Sequence, residues 1–403
     1  MPISTINSNS IGNGTVIAAD ILDGTISSSK LVSANIAGDR IAANTLSNTV
    51  FQTGSVESYM RGANLDFGMR NRIINGAMQI DQRNAGAAVT PTNTQYTLDR
   101  YWAWLSQTAK LTVQQDSSAN TVAGFTSSLK VTSSSSYSVT SSDYFAVVQT
   151  IEGFNIADLA WGTASAKPVT LSFWVRSSLT GTFGGSLMNS AQNYSYPFSY
   201  TIAAANTWEQ KIITIVGPTA GTWVVNNGKG IQVNFGLGVG SENSGTAGAW
   251  TGTGIISTTG AVSVVGTNAA TWYITGVQLE EGSQATSFEY RHYGTELQLC
   301  QRYYWKNFPA QSGVNITLGI CATNQLRSTV WYPTIMRSAP TFSMSGLVGD
   351  DEQSSVYTLS ISSAGSGTQT ARVTFTATGA VGGRPAVVQT NSNTSFLDAS
   401  AEL

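Results

Sequence analysis

Apolar residues recur at every fifth position through the first 56 residues of this chain. The recurring positions are Ile6, Ile11, Val16, Ile21, Ile26, Leu31, Ile36, Ile41, Leu46, Phe51 and Val56. An α-helix turns about 100° per residue, so steps of five spread side chains around its whole circumference. A β-strand places successive steps of five on alternate faces. The run therefore predicts a backbone that turns a corner about every five residues and points the apolar residue inward.

A small or short residue stands two positions before each apolar one, which lets a neighbouring coil approach closely. The triplets "ADI" at 19–21 and "ANI" at 34–36 resemble the centre of pentapeptide repeats. On a single chain the run gives a square coil only about 13 Å tall, at about 4.8 Å per layer, which is short for a solenoid. We interpret 1–56 as a shaft or anchor of several intertwined chains, with a monomeric stack or a flexible arm as the alternative. The residues predicted to hold the shaft together are Ile21, Ile26, Leu31, Ile36, Ile41, Leu46 and Phe51.

The composition indicates a structural or sugar-binding protein. Only 10% of the 403 residues are charged, against about 25% in ordinary globular chains. The net charge of −2 gives no electrostatic argument for binding nucleic acid or an anionic membrane. The N-terminus lacks the pattern of a signal peptide, and no apolar run is long enough to insert into a membrane. Cys300 and Cys321 are predicted to be free, buried thiols, with a disulfide between them as the alternative.

The pattern changes after the shaft and predicts an all-β fold. Residues 57–70 break the five-residue period and are interpreted as a connector. Residues 71–292 carry period-two strands separated by Gly, Ser and Asn, which predict a jelly-roll β-sandwich. Residues 293–306 show a helical stripe and are interpreted as a linking helix. Residues 307–403 alternate again and predict a small C-terminal β domain.

Three segments give the strand phases on which this interpretation depends. In 169–175 the residues Val169, Leu171, Phe173 and Val175 share one face, and Trp174 opposes them. In 196–202 the residues in phase are Tyr196, Phe198, Tyr200 and Ile202. In 271–280 the predicted inward residues are Tyr273, Val277 and Leu279. Each set is expected to line the core of the sandwich.

Several stretches beyond the connector resemble bacteriophage tail-fibre or adhesion proteins. They are "NRIINGAMQIDQRNAG" (71–86), "YTLDRYW" (96–102), 151–183, 274–304, "MRSAPTFS" (336–343) and "DASAEL" (398–403). The resemblance implies a virion fibre, a homotrimer, with a jelly roll like those of carbohydrate-binding modules. It carries no ligand residues over to this chain. Oxygen-rich loops would suit a structural calcium ion, as in such modules, but no ligands are assigned and no other cofactor is predicted.

Catalytic groups are sparse in the sequence. His292 is the one histidine, and its distance from other nucleophile partners argues against Ser-His-Asp or Cys-His chemistry. Glu280 and Glu281 are adjacent, so in a strand they point to opposite faces and cannot flank one glycosidic bond. The Gly282 that follows predicts a turn in which both carboxylates are solvated. The chain is therefore interpreted as non-enzymatic.

Aromatic residues are the candidate sugar contacts. Trp250 stands in the Gly/Thr-rich segment "ENSGTAGAWTGTGI" with no apolar partner in phase, so it is either a clasp over a neighbouring chain or a ligand platform. Tyr194 and Tyr196 are further candidates, with packing in the core as the alternative. Trp102 and Trp104 share a strand face and are interpreted as core or inter-sheet packing.

These features together predict a virion tail-fibre protein that attaches to the glycan of the host bacterial surface. It is expected to be synthesised in the host cytoplasm and to contact other tail or baseplate proteins through its N-terminal segment. Three copies would raise the effective concentration of individually weak sugar contacts. A structural baseplate or tail-tip adaptor without receptor binding is the first alternative, and a glycan depolymerase is the second.

Overall fold

The computed structural model describes residues 70–118, 122–307, 311–351 and 356–403, which belong to one compact unit. The predicted shaft at 1–56 and its seven oligomerisation residues lie outside the described residues, as does the connector apart from Arg70. The shaft, the trimer and the domain boundaries therefore stay predictions.

The first part of the described chain contains thirteen strands in chain order. They are β1 (Tyr96–Leu98), β2 (Tyr101–Leu105), β3 (Leu111–Asp116), β4 (Ser128–Ser133), β5 (Tyr144–Glu152), β6 (Val169–Ser177), β7 (Gly181–Asn189), β8 (Ser195–Ile202), β9 (Glu209–Ile215), β10 (Lys229–Val239), β11 (Ser244–Gly245), β12 (Ser257–Thr258) and β13 (Thr271–Glu281). Short 3-10 helices lie at Gly153–Asn155, Ala157–Leu159 and Ser241–Asn243.

Two antiparallel sheets of these strands pack face to face as a sandwich. The first has the order β1-β2-β5-β10-β7-β8, and the second has the order β3-β4-β13-β6-β9; β11 and β12 form a separate parallel pair. Rings from both sheets meet in the core, with Phe173 of the second sheet 5.2 Å from Phe235 and 5.1 Å from Tyr200 of the first. The phases predicted for 169–175 and 196–202 are confirmed, because all eight residues are buried in this core.

One predicted strand phase is wrong. Tyr273 was expected to share the inward face with Val277 and Leu279, but Trp272 and Ile274 take the core positions instead. A β-bulge between Thr275 and Gln278 shifts the register, and Gly276 at φ 60° occupies it. The extra residue reverses the phase of the strand, so Tyr273 lies on the outer face.

The helix predicted at 293–306 is present but shorter, as α1 (Tyr293–Gln301). Its Cys300 packs with Ile74, Ile80 and Tyr303 in a small buried cluster. The chain leaves the helix at Arg302 and enters strand β14 (Tyr304–Asn307), so Tyr304 belongs to a strand and not to the predicted helical stripe. Pairing with a C-terminal strand overrides the helical pattern there.

The remaining strands form two further sheets. They are β15 (Asn315–Ala322), β16 (Gln325–Trp331), β17 (Thr341–Ser345), β18 (Leu347–Asp350), β19 (Val356–Thr358), β20 (Ser360–Ser366), β21 (Thr370–Thr376), β22 (Pro385–Thr390) and β23 (Phe396–Ser400). Strands β14-β23-β17 make a three-stranded sheet, and β19-β18-β22-β15-β16-β21-β20 make a seven-stranded sheet. A separate hydrophobic core, with Leu326, Val373 and Phe375 fully buried, joins them.

The end of the chain returns to the sandwich through a buried ionic contact. The Glu402 carboxylate pairs with Arg100 and, at 2.7 Å, with Arg83. The Arg100 guanidinium lies 3.5 Å from the centroid of the Tyr303 ring, and that of Arg83 lies 3.6 Å from the centroid of Tyr304. This clasp, formed by Arg83, Arg100 and Glu402, ties the first and last segments of the described chain together.

The predicted all-β class, with a β-sandwich and a single α-helix among the described residues, is confirmed. Cys300 and Cys321 are free and buried, and burial raises the pKa of both thiols. No helix in the described part of the chain is long and apolar enough to cross a membrane.

Candidate functional site

Trp250 lies in a cluster of five aromatic rings at the start of β8. Its ring stacks on Tyr194 with centroids 5.6 Å apart and planes 11° apart. It meets Tyr196 at 5.3 Å and Trp161 and Trp223 at 5.5 Å, all edge to face. The partners that the sequence did not reveal therefore come from distant segments of the same chain.

The three indole N–H groups of this cluster are satisfied within the protein. The indole N–H of Trp250 donates to the carbonyl of Val216 at 2.7 Å, that of Trp161 to Lys167 at 2.8 Å, and that of Trp223 to Ala220 at 3.2 Å. Tyr196 is buried, and burial raises the pKa of its hydroxyl, whereas Tyr194 and Trp250 are partly exposed. The arrangement supports a packing role for Trp250, and sugar contact at the exposed rims of Tyr194 and Trp250 stays a prediction.

A second set of rings lies on the face of the first sheet that points away from the sandwich core. Tyr96, Trp102, Trp104 and Tyr144 follow one another across β1, β2 and β5. Their successive centroids are 6.5, 5.8 and 5.4 Å apart. Trp102 is 4% exposed, and the other three rings are partly exposed. We call these four residues the aromatic row.

The sequence did not reveal the aromatic row because both faces of β2 are apolar. In "YWAWL" the alternate residues Tyr101, Ala103 and Leu105 enter the sandwich core, which leaves Trp102 and Trp104 on the opposite face. The two tryptophans were interpreted as core or inter-sheet packing: Trp102 is buried in a small hydrophobic cluster, against which Trp104 packs, but this cluster lies on the outer face of the sheet and not between the two sheets.

Neutral polar groups share this face with the rings. Thr150 accepts a hydrogen bond from the Trp102 indole at 3.2 Å. Gln232 donates to Asn234 at 2.9 Å, and Asn234 donates to Ser186 at 2.9 Å, which makes a chain of amides and a hydroxyl across neighbouring strands. All four of these side chains are buried, so their hydrogen bonds stay within the protein and hold the strands of this face together.

Strand β12 covers the far side of the same face. A Cβ on Gly184 would lie 2.5 Å from the Ser257 hydroxyl, so only glycine lets this segment lie flat on β7. Ile256 packs there with Met188 and Trp102. The aromatic row is thereby bordered on one side and left partly exposed at Trp104 and Tyr144.

Asp143 holds the end of the aromatic row in place. Its carboxylate accepts hydrogen bonds from Ser106 Oγ at 2.7 Å, Tyr137 at 2.9 Å, and the Thr140 N–H and Oγ at 2.9 and 2.7 Å. Ser106 Oγ in turn accepts the N–H of Tyr144 at 3.1 Å. Burial by itself raises the pKa of a carboxyl, but these donors outweigh it and hold the pKa of Asp143 at about 2.

This depressed pKa predicts an acid-sensitive contribution to stability. The hydrogen bonds favour the carboxylate in the folded state, so their contribution is fully present above the unfolded-state pKa of 3.8. It is lost as the pH falls through 3.8 towards about 2. The free energy of unfolding of the wild type should fall more steeply over this window than that of Asp143→Asn, as measured by urea titration at each pH. Equal slopes for the two proteins would contradict the assignment.

The groups considered for catalysis have structural partners. Glu280 is buried, and it accepts hydrogen bonds from the Thr286 N–H at 2.8 Å and Oγ at 2.6 Å; the expectation that it is solvated is wrong, because the 282–287 turn folds back over it. Glu281 is exposed and lies 3.1 Å from Lys167. His292 is exposed immediately before α1. Among the described residues, no group of three or more His, Cys, Asp or Glu side chains could hold a metal ion.

About half of this chain is similar to solved structures of a phage protein and of carbohydrate-binding modules. The enzymatically active domain of tailspike protein 4 from bacteriophage CBA120 is 13% identical, with a TM-score of 0.30 over 53% of this chain. The family 11 carbohydrate-binding module from Clostridium thermocellum, in complex with a β-1,3-1,4-mixed-linked tetrasaccharide, is 10% identical, with a TM-score of 0.26 over 49% of this chain and 98% of the module. The N-terminal cellulose-binding domain of β-1,4-glucanase C from Cellulomonas fimi is 12% identical, with a TM-score of 0.25 over 48% of this chain and 100% of that domain.

This chain spans 22% of the length of the tailspike domain. No protein-family model matches the sequence, and no curated protein matches it. At such low identities and TM-scores, these likenesses carry no conclusion about what this chain binds.

Proposed function

We propose that this chain is the attachment protein of a bacteriophage tail fibre and that it binds glycan on the surface of the host bacterium. The resemblance of 71–86, 96–102 and 274–304 to tail-fibre proteins supports the virion role. The low charge and the abundance of Ser, Thr, Asn and aromatic residues support a neutral, hydroxylated ligand. No catalytic step is part of the proposal.

The aromatic row is the observation that carries the proposal. The apolar C–H face of a sugar ring stacks on an aromatic ring, and successive rings can receive successive units of a chain. Trp104 and Tyr144, with centroids 5.4 Å apart and both partly exposed, are placed for such contact. They lie on the paired strands β2 and β5, so the sheet fixes the spacing of the two rings before a ligand binds. Binding therefore does not carry the entropic cost of ordering a loop.

The polar and charged groups around the row bear on the class of ligand. The amides of Gln232 and Asn234 are buried and bonded within the protein, so they support the sheet beneath the ligand and do not contact it. Two cations lie against the row: Arg83, 5.1 Å from the centroid of the Tyr96 ring, and Lys229, 5.8 Å from that of the Trp102 ring. Arg83 is already paired with Glu402, so little positive charge is left for a ligand, which favours an uncharged or weakly acidic glycan.

Assembly through the N-terminal segment completes the proposal. Three copies joined by the shaft would present three aromatic rows to one cell surface. Linked sites convert weak single contacts into strong attachment, because the second and third contacts form at high effective concentration. The same segment would join the fibre to other tail or baseplate proteins.

Substitution in the aromatic row should weaken glycan binding. Trp104→Ala and Tyr144→Ala are each expected to reduce the affinity of the full chain about three- to tenfold, because each removes one stacking surface. Binding is measured on an immobilised panel of bacterial O-antigen and capsular polysaccharides. Trp174→Ala and Tyr273→Ala, which change partly exposed rings on the outer face of the second sheet, serve as matched controls and should bind normally.

The outcomes separate the alternatives. Unchanged binding by Trp104→Ala and Tyr144→Ala would place the sugar site elsewhere on the chain. Absence of any glycan or host-cell binding by the wild type would favour the structural adaptor. Release of reducing ends from a polysaccharide on the panel would indicate a depolymerase.

A further inference from the structure

A second aromatic surface stands apart from the sandwich, in the seven-stranded sheet. Trp331 is the last residue of β16 and is 72% exposed, the highest exposure among the large apolar side chains that the structure describes as exposed. Strand β16 pairs with β21 along its whole length, so the backbone at Trp331 is held rigidly by the sheet. An indole so exposed on a rigid strand is available to a ligand or partner.

Trp331 forms one wall of a small pocket. Trp305 and Asn307 of β14 line it from the three-stranded sheet, and Ile316 of β15 and Thr329 of β16 line it from the seven-stranded sheet. Trp305 also packs near Tyr332, with ring centroids 6.2 Å apart, so its position is set by the core. The pocket thus combines two indole rings with an amide and a hydroxyl, at a place where two sheets meet.

One polar side chain of the lining is bonded within the protein, since the Thr317 hydroxyl bonds to the Ser328 hydroxyl at 2.7 Å and donates to the Thr329 carbonyl at 3.0 Å. The other four polar groups are available. The indole N–H groups of Trp305 and Trp331, the Asn307 amide and the Thr329 hydroxyl make no side-chain hydrogen bond to a described residue. The indole N–H groups of Trp161, Trp223 and Trp250 are all bonded to carbonyls, as described above. Free donors and acceptors beside exposed rings are what a ligand requires of a preformed site.

The chemistry of the lining selects the class of ligand. No charged side chain lines the pocket, which disfavours an anionic or cationic group. Two rings offer stacking surfaces for C–H groups, while Asn307 and Thr329 offer hydrogen bonds to hydroxyls. A neutral sugar residue meets all of these conditions.

We propose that the pocket lined by Trp305, Asn307, Thr329 and Trp331 is a second glycan-binding site, which takes a neutral sugar residue of the same surface polysaccharide as the aromatic row. This inference rests on the proposed function and deepens it. Each chain then carries two sugar sites on separate sheets, so a single chain binds the polymer at two places and gains avidity before any trimer forms.

The test compares variants of the full chain on the same polysaccharide panel. Trp331→Ala should weaken binding about three- to tenfold, and Thr329→Val should weaken it about two- to fivefold. Leu318→Ala is the matched control for the first, because Leu318 is 71% exposed on the neighbouring strand but does not line the pocket. Thr376→Val is the control for the second, on an exposed threonine of the same sheet. Both controls should bind like the wild type.

Combination with the aromatic row gives a further expected result. We expect the two sites to act together on one polymer. The fold loss of affinity of the double variant Trp104→Ala with Trp331→Ala should then be at least as large as the product of the fold losses of the two single variants, because bivalent contact is removed. Short oligosaccharides from the same polysaccharide should lose less affinity on either single substitution than the polymer does.

The remaining outcomes would overturn the inference in distinguishable ways. Normal binding by Trp331→Ala together with weak binding by Trp104→Ala would reject the second site and leave the proposed function standing. Equal loss with Trp331→Ala and Leu318→Ala, with a change of oligomeric state in sedimentation velocity, would make this face a contact between copies of the chain. Absence of binding by the wild type would reject the proposed function and the second site together.

Discussion

Replacing Glu402 with glutamine is expected to lower the free energy of unfolding by about 3–5 kcal/mol, the usual effect of removing one partner of a buried ion pair. The Arg100 side chain is 1% exposed and that of Glu402 is 6% exposed. The carboxylate also pairs with Arg83 at 2.7 Å. The glutamine keeps the shape but leaves the buried Arg100 guanidinium without its counter-charge, which is costly. It also removes Glu402 from beside Arg83, on which Asp99 continues to act. Urea-induced unfolding of the full chain, followed by tryptophan fluorescence, measures the change.

Two further variants make this prediction specific to the clasp. Glu242→Gln changes an exposed carboxylate, whose partner is the Ser141 hydroxyl at 2.7 Å, and should alter the free energy of unfolding by no more than about 0.5 kcal/mol. The double variant Arg100→Met with Glu402→Leu should be more stable than Glu402→Gln, because Arg83 then loses Glu402 but no charged Arg100 is left buried without a partner. A loss from Glu402→Gln no larger than that from Glu242→Gln would mean that the clasp does not stabilise the fold.

Trp250→Ala is expected to lower the free energy of unfolding by about 3 kcal/mol, as truncation of a packed tryptophan does. The substitution removes four ring contacts within 5.6 Å and leaves the Val216 carbonyl without the donor that it has at 2.7 Å. Tyr194 and Trp161 would then face a cavity. The same urea titration measures the loss.

Trp331→Ala is the matched control, because it removes the same side chain from a position that is 72% exposed. It should change stability by no more than about 0.5 kcal/mol. Comparison of Trp250→Ala with Trp331→Ala also tests the prediction, made from the sequence, that Trp250 is a platform on which a sugar stacks. If Trp250→Ala retains wild-type stability and loses glycan binding, Trp250 is a ligand contact and not a packing residue.

Strand periodicity was predictable wherever one face of the strand is apolar and the other is polar. Val169, Leu171, Phe173 and Val175 alternate with polar or outward residues, and all four are fully buried. The alternation works because side chains of a strand point to opposite faces in turn, and the apolar face is the one that packs in the sandwich core. The all-β class follows from the repetition of this pattern along the chain.

The same reasoning failed where the pattern is ambiguous or interrupted. In β2 both faces are apolar. The alternation of the sequence therefore predicts that Trp102 and Trp104 lie on the same face, but it does not indicate which face of the strand packs in the sandwich core. In β13 an inserted residue at the bulge reverses the phase, which left Tyr273 outside and Trp272 inside. A bulge depends on how the backbones of two strands pair. The sequence of one strand alone does not show which strand it pairs with or in which register, so the bulge could not be predicted from it.

The sequence by itself determined the class of the fold, the core faces of its regularly alternating strands, the neutral and aromatic-rich surface and the scarcity of catalytic groups, because each depends on composition or on short-range periodicity. The tertiary structure alone decided which aromatic rings meet. Trp250 finds its partners in Trp161, Tyr194 and Trp223, and Arg100 meets Glu402 across 302 residues of chain. Contacts at such separations arise from the pairing and stacking of sheets, so no local pattern encodes them.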